Sequence, residues 1–195
     1  MENNYFQNDT SYIKCSLADI SLSALEQRNI SFETTSFVNV SLLKSKIIDF
    51  TCIDSKLDQC NFSNTEMERC YFKNSMIVNS KATGISFTDG EFKDMKFKRS
   101  KIDLANFRFA ILKNVEFDNC ILTGADFQGA KLNHASFLNC DLKNVDFSQA
   151  EFIKVDLRGS EISGVRMEIN NLKQLTVDPF QVAYIGGLLG LNVKS

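Results

Sequence analysis

A hydrophobic period of five residues, unbroken from Leu17 to Met167, is the feature that most narrows what this chain can fold into. Stepping by five from Leu17 gives thirty-one positions, of which only Gln27 is polar, and thirteen of the seventeen Phe fall in this register. Two residues before each central position runs a second, mostly small series, clearest at Ala105, Ala110, Val115, Cys120, Ala125 and Ala130. The residue between the two series is usually Asp, Asn, Ser, Glu or Lys, and the two that follow are mostly polar. Neither the 3.6 period of a helix nor an indefinite alternation matches this pattern. A short extended segment with alternate residues inward, closed by a corner, does.

The central series also fits an even number of sides, four among them. From Phe97 to Phe147, Phe at 97, 107, 117, 127, 137 and 147 alternates with Ile or Leu. In a coil of four pentamers this places Phe on two opposite sides and aliphatics on the other two. Thirty-one pentamers make about eight coils, and at ~4.8 Å per strand the rod is roughly 37 Å long. Each coil needs its neighbours to bury its core, so the end coils are open sheet edges. A single Pro and nine Gly in 195 residues mean that the many turns are made by other residues.

After Met167 the register ends. Asp178 suits a helix N-cap and Pro179 the first helical turn. The helix expected from Pro179 to Leu189 carries Phe180, Ala183, Tyr184 and Leu188 on one face and Val182, Ile185 and Leu189 on another. A helix apolar on both sides is buried on both, against the last coil and against a partner. The expected organisation is an N-terminal segment or cap over residues 1–14, a coil body over 15–169, and a cap with a dimerisation helix over 170–195.

Segments such as ADFQG (125–129), AKLNH (130–134), CDLKN (140–144), VDFSQ (145–149) and VDLRG (155–159) resemble the pentapeptide-repeat family, over about 80% of the chain. The resemblance implies an all-β fold, a right-handed quadrilateral β-helix. The ending LTVDPFQVAYIGGLLGLNV is similar to the dimerising terminus of the Qnr and MfpA type within that family. That similarity implies a homodimer through Phe180, Val182, Ile185, Leu188 and Leu189. It further implies a duplex-DNA mimic that occupies the DNA-binding saddle of gyrase or topoisomerase IV, modulating or protecting the enzyme, with quinolone or toxin resistance as the consequence. The strict phase leaves no insertion for the loops that project from many Qnr proteins.

The residues give little support to catalysis. Cys15, Cys60, Cys70, Cys120 and Cys140 occupy the small inward position and Cys52 the central one, so the repeat itself sets their spacing. His134 is the only His and falls at a corner. No phosphate-binding glycine motif is present, and a straight rod offers no cleft to shift a carboxylate pKa. An enzyme is therefore not expected, nor any catalytic, cofactor or metal site. The balance of 22 basic against 24 acidic residues does not suggest direct nucleic-acid binding, and no apolar run is long enough to span a membrane. The N-terminus lacks the pattern of a secretory signal, and six Cys without one suit a reducing cytoplasm.

What remains is surface. The side centred on Gln27, Ile47, Met67, Phe87, Phe107, Phe127, Phe147 and Met167 carries a formal −3, whereas the other three sides are about neutral. Glu66, Glu68, Asp89, Asp126 and Asp146 on that side are the candidate partner-binding residues. The alternative is a structural or adaptor rod whose outward apolar residues, among them Ile48, Val78, Phe109, Ile111, Ile121 and Ile153, bind another protein.

Overall fold

Every fifth residue from Asp9 to Gly164 has a positive φ, between 45° and 75°. These are the corners, and their recurrence explains how a chain with one Pro turns so often. Asn, Asp and Gly hold most of these positions because they enter the left-handed region at least cost. Corner side chains also bond along the rod: Asn39 Nδ2 donates to Asp19 Oδ1 (2.7 Å), Asn74 to Asp54 (2.6 Å) and Asn114 to Asp94 (2.8 Å). The corner code Asn or Asp is thus both a backbone preference and a contact between coils.

In the computed structural model, which describes residues 5–192, the corners fold the chain into a right-handed quadrilateral β-helix of about eight coils. Strands twenty residues apart pair in parallel, Phe97 opposite Phe117 and Phe117 opposite Phe137. Two adjacent sides are full sheets, one of eight strands from Thr10–Ile13 to Glu151–Ile153, the other of nine from Ser16–Ala18 to Leu175–Thr176. The other two sides are joined mainly by isolated bridges, such as Asn106 with Asp126 and Lys101 with Ile121.

The core contains the two Phe ladders that the alternation requires. Along one side the rings of Phe107 and Phe127 stack at 4.6 Å and 3°; along the opposite side Phe97, Phe117 and Phe137 stack at 4.6 and 4.7 Å. Between the ladders the rings meet edge to face, Phe117 with Phe127 at 90° and Phe127 with Phe137 at 89°. Both geometries are the ones that the ring quadrupole favours. The small inward series fills the corners of the square. Where it is Ser it also serves the backbone: Ser55 Oγ accepts from the Thr35 N–H (2.9 Å), Ser80 Oγ from Cys60 (3.0 Å) and Ser160 Oγ from Cys140 (2.8 Å).

The body is longer than its pattern suggested. Its ladder starts at Thr10, not residue 15, because Tyr12 holds the central position and stacks on Phe32 at 4.8 Å. Ahead of it Phe6, out of register and 1% exposed, lies 5.1 Å from the same ring and covers the first coil. At the other end the register is not lost after Met167. A 3-10 turn, Ile169–Gln174, diverts the chain, and Leu175–Thr176 then rejoins the ladder opposite Val155 and Asp156.

The helix Pro179–Leu188 closes the last coil by satisfying its backbone. Gln181 Nε2 donates to the carbonyls of Leu157 (2.6 Å) and Ser160 (2.7 Å), and the Tyr184 hydroxyl accepts from Gly164 N–H (2.7 Å). Asp178 accepts from Gly159 N–H (2.9 Å) and from its own helix at Phe180 and Gln181. These hydrogen bonds, Gly159's first, hold the Asp178 carboxyl below the ordinary Asp pKa.

Two outcomes follow from this packing. Phe127→Ala should cost roughly 3–5 kcal/mol, because it removes a fully buried ring from the stack and leaves a cavity. A denaturant midpoint shift worth less than about 1 kcal/mol would mean the stack is not a support. For Asp178, a folded-state pKa below the unfolded one makes its stabilisation complete above about pH 3.9 and lost as pH falls through the lower folded value. Amide exchange of the helix should therefore accelerate below about pH 4, and Asp178→Asn should abolish that acid step; identical acid profiles would refute the link.

Candidate protein-binding face

The corners determine which side chains face outward. On the side centred on Phe107, residues just before each central position form one column, in which Glu66 bridges Lys46 and Ser86, and Asn106 bridges Asp126, which bridges Asp146. Glu68 stands after Met67 on the same side, and Asp89 on the adjoining corner. The structure therefore brings all five candidate carboxylates to one side.

It also shows how much of their charge is already answered. Glu66 pairs with Lys46 (3.3 Å), Asp126 with Arg108 (3.3 Å) and Asp146 with Arg166 (2.7 Å). Asp126 and Asp146 have a second task, accepting from the backbone N–H of Gln128 and Ser148 (2.8 Å each) to brace the next corner. Burial works to raise the Asp146 pKa, but the Ser148 bonds and Arg166 outweigh it and the carboxyl sits below its ordinary value. Among the described residues, Glu68 and Asp89 are the two of these five that form no ion pair, although the Arg69 guanidinium is close enough to feel both. Arg69, between Asp49 and Asp89 on the corner column, commits Nε and Nη2 to Asp49. On the neighbouring side Lys73, Lys93 and Lys113 stand directly opposite one another, without ion pairs among the described residues. That column is legible at a twenty-residue step, yet it disappears in a charge sum over the whole side.

A groove of ≈ 560 Å³ runs along a corner lined by Thr35, Ser55, Asn74 and Asp94. Its hydroxyls are occupied: Thr35 donates to the Glu33 carbonyl and Ser55 to that of Ile53. The Cys52 thiol, fully buried, is pushed up to about 12, and burial takes Cys60 to about 11. His134 is at an exposed corner with Nδ1 2.6 Å from Asn133 Oδ1.

The outward apolar residues separate into two groups. Phe109, Ile111, Ile121 and Ile153 are exposed, whereas Val78 is buried and Ile48 half-buried. Leu104, a corner residue that its position in the repeat did not flag, is the most exposed of the rod's mid-section at 63%. On the C-terminal helix Phe180, Val182 and Leu189 face solvent. Ile185 does not: with Tyr184 it packs on the last coil, so it belongs to the cap and not to a free face. The side chain of Leu188 lies outside the described residues.

A family model described as a pentapeptide repeat region matches residues 49–127 and 110–184. No curated protein matches the chain. Among solved structures, a trypsin-treated form of QnrB1, a plasmid-mediated fluoroquinolone resistance protein, is 19% identical, with 95% of this chain and 100% of that one covered and a TM-score of 0.48. HetL, a pentapeptide repeat protein involved in heterocyst differentiation regulation in the cyanobacterium Nostoc sp. strain PCC 7120, is 15% identical over 87% of each chain, with a TM-score of 0.38. Rfr23 from the cyanobacterium Cyanothece 51142 is 13% identical, covering 87% of this chain and 88% of that one, with a TM-score of 0.27.

Proposed function

The chain belongs to the pentapeptide-repeat family, and from that premise we propose that it is a non-catalytic binding rod whose partner is a type II topoisomerase, DNA gyrase or topoisomerase IV. The side bearing Glu66, Glu68, Asp89, Asp126 and Asp146 enters the enzyme's cationic DNA-binding saddle. The observation that carries the reading is the concentration of negative charge on one of four otherwise balanced sides of a straight rod. Of the five candidates Glu68 and Asp89 supply most of the attraction, since Glu66, Asp126 and Asp146 already have cationic partners. Carboxylates one coil apart are ~4.8 Å apart, against one charge per ~1.7 Å of duplex axis. The rod is thus a dilute mimic, and it relies on contacts besides charge. Such a binder modulates the enzyme by competing with DNA; protection from a quinolone or toxin is one consequence of that competition.

The same reading makes the protein a homodimer in the cytoplasm, joined through Phe180, Val182 and Leu189. Phe180 is 91% exposed on a helix whose other side is already seated on the last coil. An exposed Phe on a capping helix is available to a second copy.

Glu68→Lys with Asp89→Lys should weaken gyrase binding at low salt by roughly tenfold or more, with the difference shrinking as salt rises. Glu91→Lys with Glu151→Lys moves the same charge on the neighbouring side and should have the smaller effect. Equal losses would reduce the effect to overall charge, and a wild type that does not bind gyrase would end the topoisomerase reading. Val182→Asp with Leu189→Asp should release monomers in sedimentation, because each puts an unpaired charge into an apolar interface. A wild-type protein that sediments as a monomer refutes the dimer.

A further inference from the structure

Leu104 and Phe109 are consecutive corners, with φ of 56° and 58°, on either edge of the side formed by Asn106, Phe107 and Arg108. Elsewhere the corners are chiefly Asn, Asp, Gly or another polar residue, and bulky apolar side chains are outliers in this region. Both are displayed to solvent, 63% and 52% exposed. Neither the fold nor the corner explains them. Of the four Phe outside the five-residue register, Phe6 and Phe50 are buried, and only Phe109 and Phe180 are exposed.

The pair is also built into its surroundings. One coil on, the same two corners are Gly124 and Gly129. A Cβ at Gly124 would come within 3.0 Å of Leu104 Cδ2, and one at Gly129 within 2.7 Å of the Phe109 ring. Each apolar side chain therefore lies along the rod over a glycine. The Arg108 guanidinium sits 5.6 Å from the Phe109 ring centroid and pairs with Asp126, which steadies the ring from the side. Aromatic and Arg side chains held in this way are the usual anchors of protein interfaces.

We propose that Leu104 and Phe109 form the apolar anchor of the acidic side, gripping a protein surface that offers an apolar side chain flanked by basic groups. The complementarity is in the charges: between the two corners the side is nearly neutral, with Asn106 and an Arg108 already paired, while Glu68 and Asp89 lie free toward the N-terminal end. A partner with basic groups alone would leave the two apolar corners in water. The proposal rests on the reading that this side contacts a type II topoisomerase, and it names what supplements the sparse charge there.

Leu104→Asn with Phe109→Asn tests it, since Asn prefers this backbone and already sits over glycine at Asn139 and Asn144. The double variant should melt at or a few degrees above wild type. It should bind purified gyrase roughly tenfold or more weakly, and this loss should persist at high salt, unlike that of the Glu68 and Asp89 reversal, because apolar contact is not screened. Wild-type affinity in the Asn variant would overturn the anchor while leaving the topoisomerase reading intact. No binding by wild type would overturn both. A lower melting point would make the two corners structural and also overturn the proposal.

Discussion

A left-handed backbone at every fifth residue is the constraint on which everything else in this molecule depends. It fixes the side length at five residues, so the coil closes after twenty and the same four columns recur along the rod. Because the columns recur, one residue type repeated at a step of twenty becomes a physical ladder. Stacked Phe, Asn over Asp and Ser beneath backbone N–H are all this one geometry with different side chains. The conformational cost is spread over many corners, and most are occupied by a residue whose penalty is small or whose side chain bonds to the next coil.

Repetition solves every coil except the two at the ends, and there the chain departs from its own rule. The first coil is covered by an out-of-register aromatic, Phe6. The last is covered by a helix that imitates the missing coil. Gln181, Tyr184 and Asp178 supply the donors and acceptors that a further strand would have offered. Asn171 does the same within the 3-10 turn, donating to Ala150 O at 2.8 Å. An exposed ladder edge is a template for uncontrolled pairing, so polar side chains aimed at backbone groups are as much a part of the cap as its apolar surface.

On the surface the same periodicity that stacks the core also stacks charge, and unlike charges one coil apart find each other. Lys46 with Glu66, Arg69 with Asp49 and Arg166 with Asp146 are the result. Exposed pairs of this kind contribute little to stability, but they determine which carboxylates remain available to another molecule. The acidity of a side is therefore smaller in effect than its formal count: Glu68 has no cation one coil away, and Asp89 stays unpaired because its neighbour Arg69 is already engaged by Asp49.

The sequence by itself determined the coil. Leu, Phe and Ile at a strict step of five admit only one inward direction per pentamer from Leu17 to Met167, and the alternation of Phe with aliphatic residues from Phe97 to Phe147 fits the even-sided section that the family resemblance implies to be square. The five carboxylates could be assigned to one side for the same reason. Only the tertiary structure decided what lies off the period. That Phe6 caps, that a 3-10 turn interrupts the ladder before Leu175 rejoins it and that Ile185 turns inward while Phe180 turns outward depend on contacts the repeat does not specify. Nor could the one-dimensional pattern show that Asp126 and Asp146 are engaged while Glu68 and Asp89 are free, or that Leu104 and Phe109 lie over glycines. A period specifies direction, inward or outward; whether an outward group meets a partner depends on how its particular neighbours one coil away fill the space, and that is decided only when the coils stack.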